Sequence, residues 1–449
     1  MASVMEFNFK DYSSMLNNGT LVYPKTFLPY YIIDRKKYSN LEQEYKKDGI
    51  KLPDLFNQIK IRMGRKYFDK IYSSQCTALN FSESCFPAYR FLLPDVIVDD
   101  WLGIVDIHKK FCRDHALHQP LTSYIVFKLL GGGNSDKSLK IQNNNLLDYC
   151  VDHVLYSPET EYLRDFAENV LHYTHLSKCK NNFILREMAK SVFFQTAMMA
   201  AVFHDIGYPW QYIMRLNKSL QSSDFNLRDP FQNIHHIESS FRDRLIMYPF
   251  YGYKSPTNDS PCMWHGKLEQ LLSDSLSKTH GLPGALAFLY INDLIRKYPA
   301  RDVSLWQICV EWAALGIMMH DMGGIYRGEK NRLEPENEFL RLSFDKDPLS
   351  CIVTLADVIE EFERPSVSFR NIDEDPDVEL HYDASCISTE LSFKKDTMYI
   401  TYRYKDEDER IKNIQFKNKE NREYFDPRYG YVDLSSIGIN KVEMICEKK

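Results

Sequence analysis

The stretch that most narrows what this chain can become is Phe203-His204-Asp205-Ile206-Gly207-Tyr208-Pro209. It closes a long apolar run from Met188 to Phe203, in which Ala189, Val192, Phe193, Ala197 and Ala201 recur at helical spacing. Gly207 and Pro209 follow at once, and such a pairing stops a helix. The pattern predicts a buried helix with His204 and Asp205 in its last turn, where backbone carbonyls without helical partners favour a cation. Neighbouring helical residues point about 100° apart, so this pair cannot enclose a metal ion by itself. Taken alone it reads first as a salt link at a helix end. It becomes a pair of ligands only if other helices bring more.

Other helices carry the same residue types. Arg113-Asp114-His115-Ala116-Leu117-His118 leads into Leu121, Tyr124, Ile125, Lys128 and Leu129 at helical spacing, which puts His118 in a first turn. Gly131 to Ser135 ends that helix, and the polar stretch Asn134 to Asn145 is expected as an exposed loop. Leu146 to Val170 returns to helix and carries His153, with His172 and His175 just beyond. Thr279-His280-Gly281 opens an apolar helix over Gly284 to Ile295. Ser304-Leu305-Trp306-Gln307 has the form of a capping box, and the run that follows ends in His320-Asp321-Met322-Gly323-Gly324. Asp347-Pro348 is a helix start, with Asp as cap and Pro in the first position. The helix is expected over Leu349 to Phe362, ahead of Pro365, with Asp357 in the middle of its apolar face. An ionised carboxylate there needs an arginine, a metal ion or nearby water.

Imidazoles and carboxylates together suit a borderline or hard divalent ion: Mn, Fe, Co, Ni or Mg. Soft thiolate binding is not indicated, because the ten cysteines are scattered with no C-x-x-C spacing. Their pattern points instead to free thiols in a reducing cytosol. A net charge of -6 gives no general attraction to nucleic acid or to anionic membrane. No apolar stretch is long enough to span a bilayer, and Met1 to Phe9 lacks a signal-peptide pattern, so a cytoplasmic protein is expected.

The order His, then His-Asp, then Asp on successive helices resembles the HD-domain metal-dependent phosphohydrolase superfamily. The resemblance covers roughly residues 105 to 370. It rests on Arg113-Asp114-His115-x-x-His118, on the HDIGYP segment, on His280-Gly281, on His320, and on Asp357 in LADVIEEFERP. It implies a first metal held by His118, His204, Asp205 and Asp357. It implies a second held by His280 and His320, with Asp205 bridging. It also implies catalytic roles for Asp205, His280 and His320. Two departures stand beside it. The long gap after His118 leaves His153, His172 or His175 as rival first ligands, and the doublet His235-His236 rivals the second-metal positions.

The chemistry expected of such a site is phosphoryl transfer to water, with cationic side chains holding phosphate. Arg113, Lys128 and Arg327 lie nearest in sequence to the ligands and are the candidates. The HD-Ile-Gly-x-Pro segment is similar to the HD-x-Gly-x-Pro of the deoxynucleoside triphosphate triphosphohydrolase branch. That likeness implies dNTP hydrolysis to nucleoside and tripolyphosphate, a homo-oligomer, and a nucleotide effector or protein partner. A phosphodiesterase of cyclic mono- or dinucleotides is the second reading. A non-catalytic nucleotide sensor that kept the fold is the third.

The flanks differ in character. Asp54 to Tyr72 reads as a helix with a basic face, and Phe86 to Trp101 as an apolar segment that packs on the centre. After a linker near Arg364 to Asp377, alternation at Val378, Leu380 and Tyr382, at Ile387, Leu391 and Phe393, and at Met398, Ile400, Tyr402 and Tyr404 predicts strands. Asp406 to Arg410 reads as a charged turn. The expected architecture is mainly α: an HD helical bundle over 105–370, a mixed N-terminal extension over 1–104, and a small antiparallel β addition over 371–449.

Overall fold

The computed structural model describes residues 4–18, 20–21, 115–141, 144–156, 182–208, 279–296, 304–326, 341–362 and 386–449. The helix expected at 54–72, the segment 86–101, Arg113, His172, His175, the His235-His236 doublet, Arg327 and the linker lie outside them.

Helix predominates among the described residues. Strand β1 (Val4–Phe7) and helix α1 (Phe9–Asn17) come first, and then α2 (His115–Leu129). The segment expected as an exposed loop instead turns through Gly131–Gly133 and Ser135–Lys137 into a small hairpin, β2 (Lys140–Ile141) and β3 (Asn144–Asn145). Leu139 and Ile141 are buried there, and these two apolar side chains pull the polar stretch onto the body. Next are α3 (Leu146–Tyr156), α4 (Asn182–Phe203), α5 (Gly281–Arg296), α6 (Ser304–His320), the single turn α7 (Gly323–Tyr326), β4 (Leu342–Ser343) and α8 (Pro348–Ile359).

Helix α4 sits at the centre and packs on α2, α3, α6 and α8; α6 packs on α5 and α8, and α8 on α2. Both α4 and α6 are apolar nearly all round, as a helix enclosed by others must be. Small residues let them approach closely: a Cβ on Gly316 of α6 would lie 3.2 Å from that of Ala200 on α4. Phe193 meets Trp312 edge-on, with ring centroids 5.3 Å apart. Helix α8 starts as its sequence dictates, with the Asp347 side chain accepting a hydrogen bond from the Ser350 amide and Pro348 in the first turn. No helix among the described residues is long and apolar enough to cross a membrane.

The C-terminal region departs from the antiparallel expectation. Strands β5 (Cys386–Lys394) and β6 (Thr397–Tyr404) pair antiparallel, but β8 (Lys441–Lys448) runs parallel to β6. Strand β1 adds at the far edge, so the sheet order is β1-β5-β6-β8 and both ends of the chain share one sheet. The parallel step needs a crossover, and α9 (Glu407–Phe425) supplies it where a charged turn was expected. The sequence EDERIKNIQFKNKENREYF has no apolar stripe to announce a helix. It is held by the Asp406 cap and by pairs three residues apart, Arg410–Glu407 at 2.5 Å and Lys412–Glu409 at 2.7 Å. Finally, β7 (Val432–Asp433) pairs parallel with β4, next to the start of α8.

Candidate metal centre

Five helices deliver one side-chain cluster. His118 comes from the first turn of α2 and is fully buried. His204 and Asp205 stand just past the last residue of α4, one step beyond the turn predicted for them, and both are fully buried. His280 immediately precedes α5, His320 is the last residue of α6, and Asp357 lies on the last turns of α8. The six residues named from sequence as ligands therefore meet in space.

The distances are short. His118 Nε2 lies 3.0 Å from His204 Nε2, 3.0 Å from Asp357 Oδ1 and 3.4 Å from Asp205 Oδ2. His280 Nε2 lies 3.0 Å from His320 Nε2 and 2.8 Å from Asp205 Oδ1. Asp205 Oδ1 is also 3.5 Å from His204 Nε2 and 3.7 Å from His320 Nε2. Asp205 thus touches all four imidazoles. Two donor groups overlap at His204: His118, His204 and Asp357, and then His204, Asp205 and His320. Within each, the candidate ligand atoms lie within 4.8 Å of one another. The cluster can hold a metal ion.

The outer nitrogens decide the tautomers. His204 Nδ1 is 2.8 Å from the Ala201 carbonyl, and His320 Nδ1 is 2.6 Å from that of Ile317. A carbonyl only accepts, so each Nδ1 carries a proton, and a ring in its neutral form then turns its Nε2 lone pair inward. His118 Nδ1 is held by the Glu360 carboxylate and His280 Nδ1 by that of Asp321, at 2.7 Å. Two Nε2 lone pairs facing across 3.0 Å repel unless a proton or a metal ion lies between them. About 3.0 Å is also the separation of two nitrogens at right angles round an ion about 2.1 Å from each. Four imidazoles and two carboxylates suit a borderline divalent ion, and no cysteine belongs to either donor group.

Charge is distributed unevenly. Burial lowers the His204 pKa, and the neighbouring carboxylates do not offset it, so the ring is neutral. Burial also opposes charge on His280, but Asp321 and Asp205 outweigh it and raise this imidazole to about 9. For Asp357 burial works against ionisation, yet the hydrogen bond with His118 holds the carboxyl well below the usual carboxylate range.

Three contributors were not named from sequence: Glu360, Asp321 and Tyr208. Glu360 follows Asp357 by three residues, the spacing that shares a helix face. Asp321 follows His320 as Asp205 follows His204, yet it turns to the back of the His280 ring while Asp205 turns inward. Tyr208 stacks on His280, with ring centroids 3.8 Å apart. Of the rivals, His153 stacks on Tyr149 and belongs to neither donor group. Lys128, expected to hold phosphate, has partners at the N-terminal segment. Its ammonium binds Asp11 at 2.7 Å and the Glu6 carbonyl at 2.5 Å, so it ties the N-terminal segment to α2. The sequence argument had used its nearness to His118 along the chain and had no sight of the acidic partner on α1.

Compared with protein-family models, with curated proteins and with solved structures, the chain matches none.

Proposed function

We propose that this protein is an HD-type metal-dependent nucleotide phosphohydrolase, acting on deoxynucleoside triphosphates to release nucleoside and tripolyphosphate. The observation that carries the reading is the meeting of His118, His204, Asp205, His280, His320 and Asp357, from five helices, in one buried cluster. A divalent ion held there would lower the pKa of water and offset charge on phosphoryl oxygens. The preference for dNTPs rests on the HDIGYP segment and its likeness to the triphosphohydrolase branch.

The chain's own residues then divide the work. His118, His204, Asp205, His320 and Asp357 would hold the ion or ions. Asp205 is the group common to both halves of the cluster. His280 belongs to neither donor group, and its ring is held charged between Asp321 and Asp205. In this reading it would give a proton to the departing oxygen. Arg113 and Arg327 remain the proposed phosphate contacts.

The overlap of two donor groups at His204 favours a second reading as well, a cyclic mono- or dinucleotide phosphodiesterase with two ions. Incubating metal-loaded protein with dNTPs, ribonucleotides and cyclic dinucleotides separates the readings. Tripolyphosphate supports the first, and a linear monophosphate or dinucleotide supports the second. No product with any of Mn, Mg, Fe, Co or Ni overturns both.

A further inference from the structure

Two tyrosine hydroxyls from the C-terminal region end on the two helices that bring Asp357 and His320 to the cluster. Tyr402, fully buried on β6, donates to the Val358 carbonyl at 2.9 Å, one residue after Asp357. Tyr431, fully buried just before β7, donates to the Met319 carbonyl, one residue before His320. Both acceptors are among the last carbonyls of their helices, which have no partner inside the helix; that of Met319 also accepts from the Met322 amide at 3.3 Å. The same turn of α8 carries Glu360, which holds His118.

Further contacts grip the same helix ends. Lys417 on α9 is 1% exposed, and its ammonium lies 3.0 Å from Glu361 and 2.6 Å from Glu420. It also sits 4.3 Å from the centre of the Tyr402 ring. A buried cation in this position is costly unless it is paired, and Glu361, two residues past the end of α8, is one of its partners. At the other end of α8, β4 pairs with β7, and Arg341 binds the carbonyls of Gly430 and Pro427, both at 2.9 Å. The region thus holds α8 from both ends and α6 at its ligand end.

We propose that the C-terminal region is a positioning part of the metal centre, with Tyr402 and Tyr431 setting Asp357 and His320 in register through the carbonyls beside them. This rests on the reading of the cluster as a metal centre. It makes both tyrosines positioning residues, since neither hydroxyl touches a ligand atom.

The test uses the full-length chain and its Tyr402→Phe and Tyr431→Phe variants, each of which removes one hydroxyl and keeps the ring. The metal-free proteins are titrated with Co²⁺, and the affinity and the visible absorption spectrum of the bound ion are read. Melting midpoints are taken in chelator. Partners behind metal ligands typically change affinity by about tenfold or more when removed. The expected result is a weakening of about tenfold in each variant with an altered Co²⁺ spectrum. A lower metal-free midpoint with wild-type affinity and an unchanged spectrum would assign the tyrosines to folding alone and overturn the proposal. If the wild-type chain takes up no Co²⁺, the metal reading itself fails, which is a different result.

Discussion

His280 stands between two carboxylates: its Nε2 is 2.8 Å from Asp205 and its Nδ1 is 2.7 Å from Asp321. Burial alone would strip its charge, but the two acids prevail and its pKa rises from 6.5 to about 9. A folded-state pKa above the unfolded value stabilises the protein below the unfolded value, near 6.5, and that contribution fades as pH rises through the folded value. With chelator present, the melting midpoint should therefore fall between about pH 6.5 and 9. His280→Gln should lose that part of the slope. A His280→Gln variant whose pH profile overlays the wild type would show that the ring is not charged in the fold.

The division of labour between His280 and its neighbours predicts two different failures. Asp205→Ala should lose both metal and hydrolysis, because every imidazole of the cluster meets this carboxylate, while the far-ultraviolet helical signal stays largely intact. His280→Ala should keep its metal and lose turnover, typically by a hundredfold or more for a missing proton donor. Elemental analysis beside a rate measurement reads both. Metal loss in His280→Ala would move this residue from proton donor to ligand.

Glu360 reaches the centre through His118. Its carboxylate fixes the ring's rotation and favours a proton on Nδ1, so that Nε2 faces the centre. Glu360→Ala should weaken metal affinity by about 10–100-fold at little cost in helical content. Glu360→Gln retains an acceptor and should fall between. A metal titration in which Glu360→Ala matches the wild type would remove this residue from the site.

What the sequence made legible was the inward half of this arrangement. His204-Asp205, His320 and Asp357 all lie at or near the C-terminal end of an apolar run, and helical period plus burial cost was enough to aim them at one point. The outward half was harder to see. Glu360 sits in a charged stretch, IEEFER, where residue type alone does not separate the carboxylate that turns to His118 from Glu361, which turns to Lys417. Lys417 is hidden for the same reason: it is nearly fully buried inside the most charged helix of the described chain. Strand alternation in β6 was readable because its inward positions are Met398, Ile400, Tyr402 and Tyr404. The pairing of β1 with β5 joins residues nearly four hundred positions apart, and no local pattern encodes that.

Lys128 offers a check on one sequence-based assignment. Its ammonium, with the Tyr124 hydroxyl at 2.5 Å from the same carboxylate, holds Asp11. Burial of Asp11 opposes ionisation, but these two hydrogen bonds win and lower its pKa. A lowered carboxylate pKa stabilises above the unfolded value, near 3.9, and is lost as pH falls through the folded value. Lys128→Met should leave nucleotide hydrolysis near wild type, loosen residues 4–18 and make that segment's hydrogen exchange less sensitive to acid. A large loss of substrate affinity in Lys128→Met would restore it as a phosphate contact.

Gly207 gives the sharpest steric test, because it lets the end of α4 touch the start of α5. A Cβ at this position would lie 1.9 Å from the His280 carbonyl oxygen and 2.6 Å from the Gly284 amide nitrogen. Both are backbone atoms, so no side-chain rotation can relieve the clash, and the two chain segments must move apart. Those segments carry His204 and Asp205 on one side and His280 on the other. Gly207→Ala should therefore cost at least about 1–3 kcal/mol, the range for overpacking, and lower metal content as well. Gly324 is the matched control. A Cβ there meets nothing within 4 Å, so Gly324→Ala should leave stability unchanged or raised by about 0.5–1 kcal/mol, as expected for alanine in a helical turn. Denaturant midpoints and metal analysis of the two variants decide the matter. If Gly207→Ala behaves like Gly324→Ala, the α4–α5 contact is not the close backbone approach described, and the placement of His280 beside Asp205 goes with it.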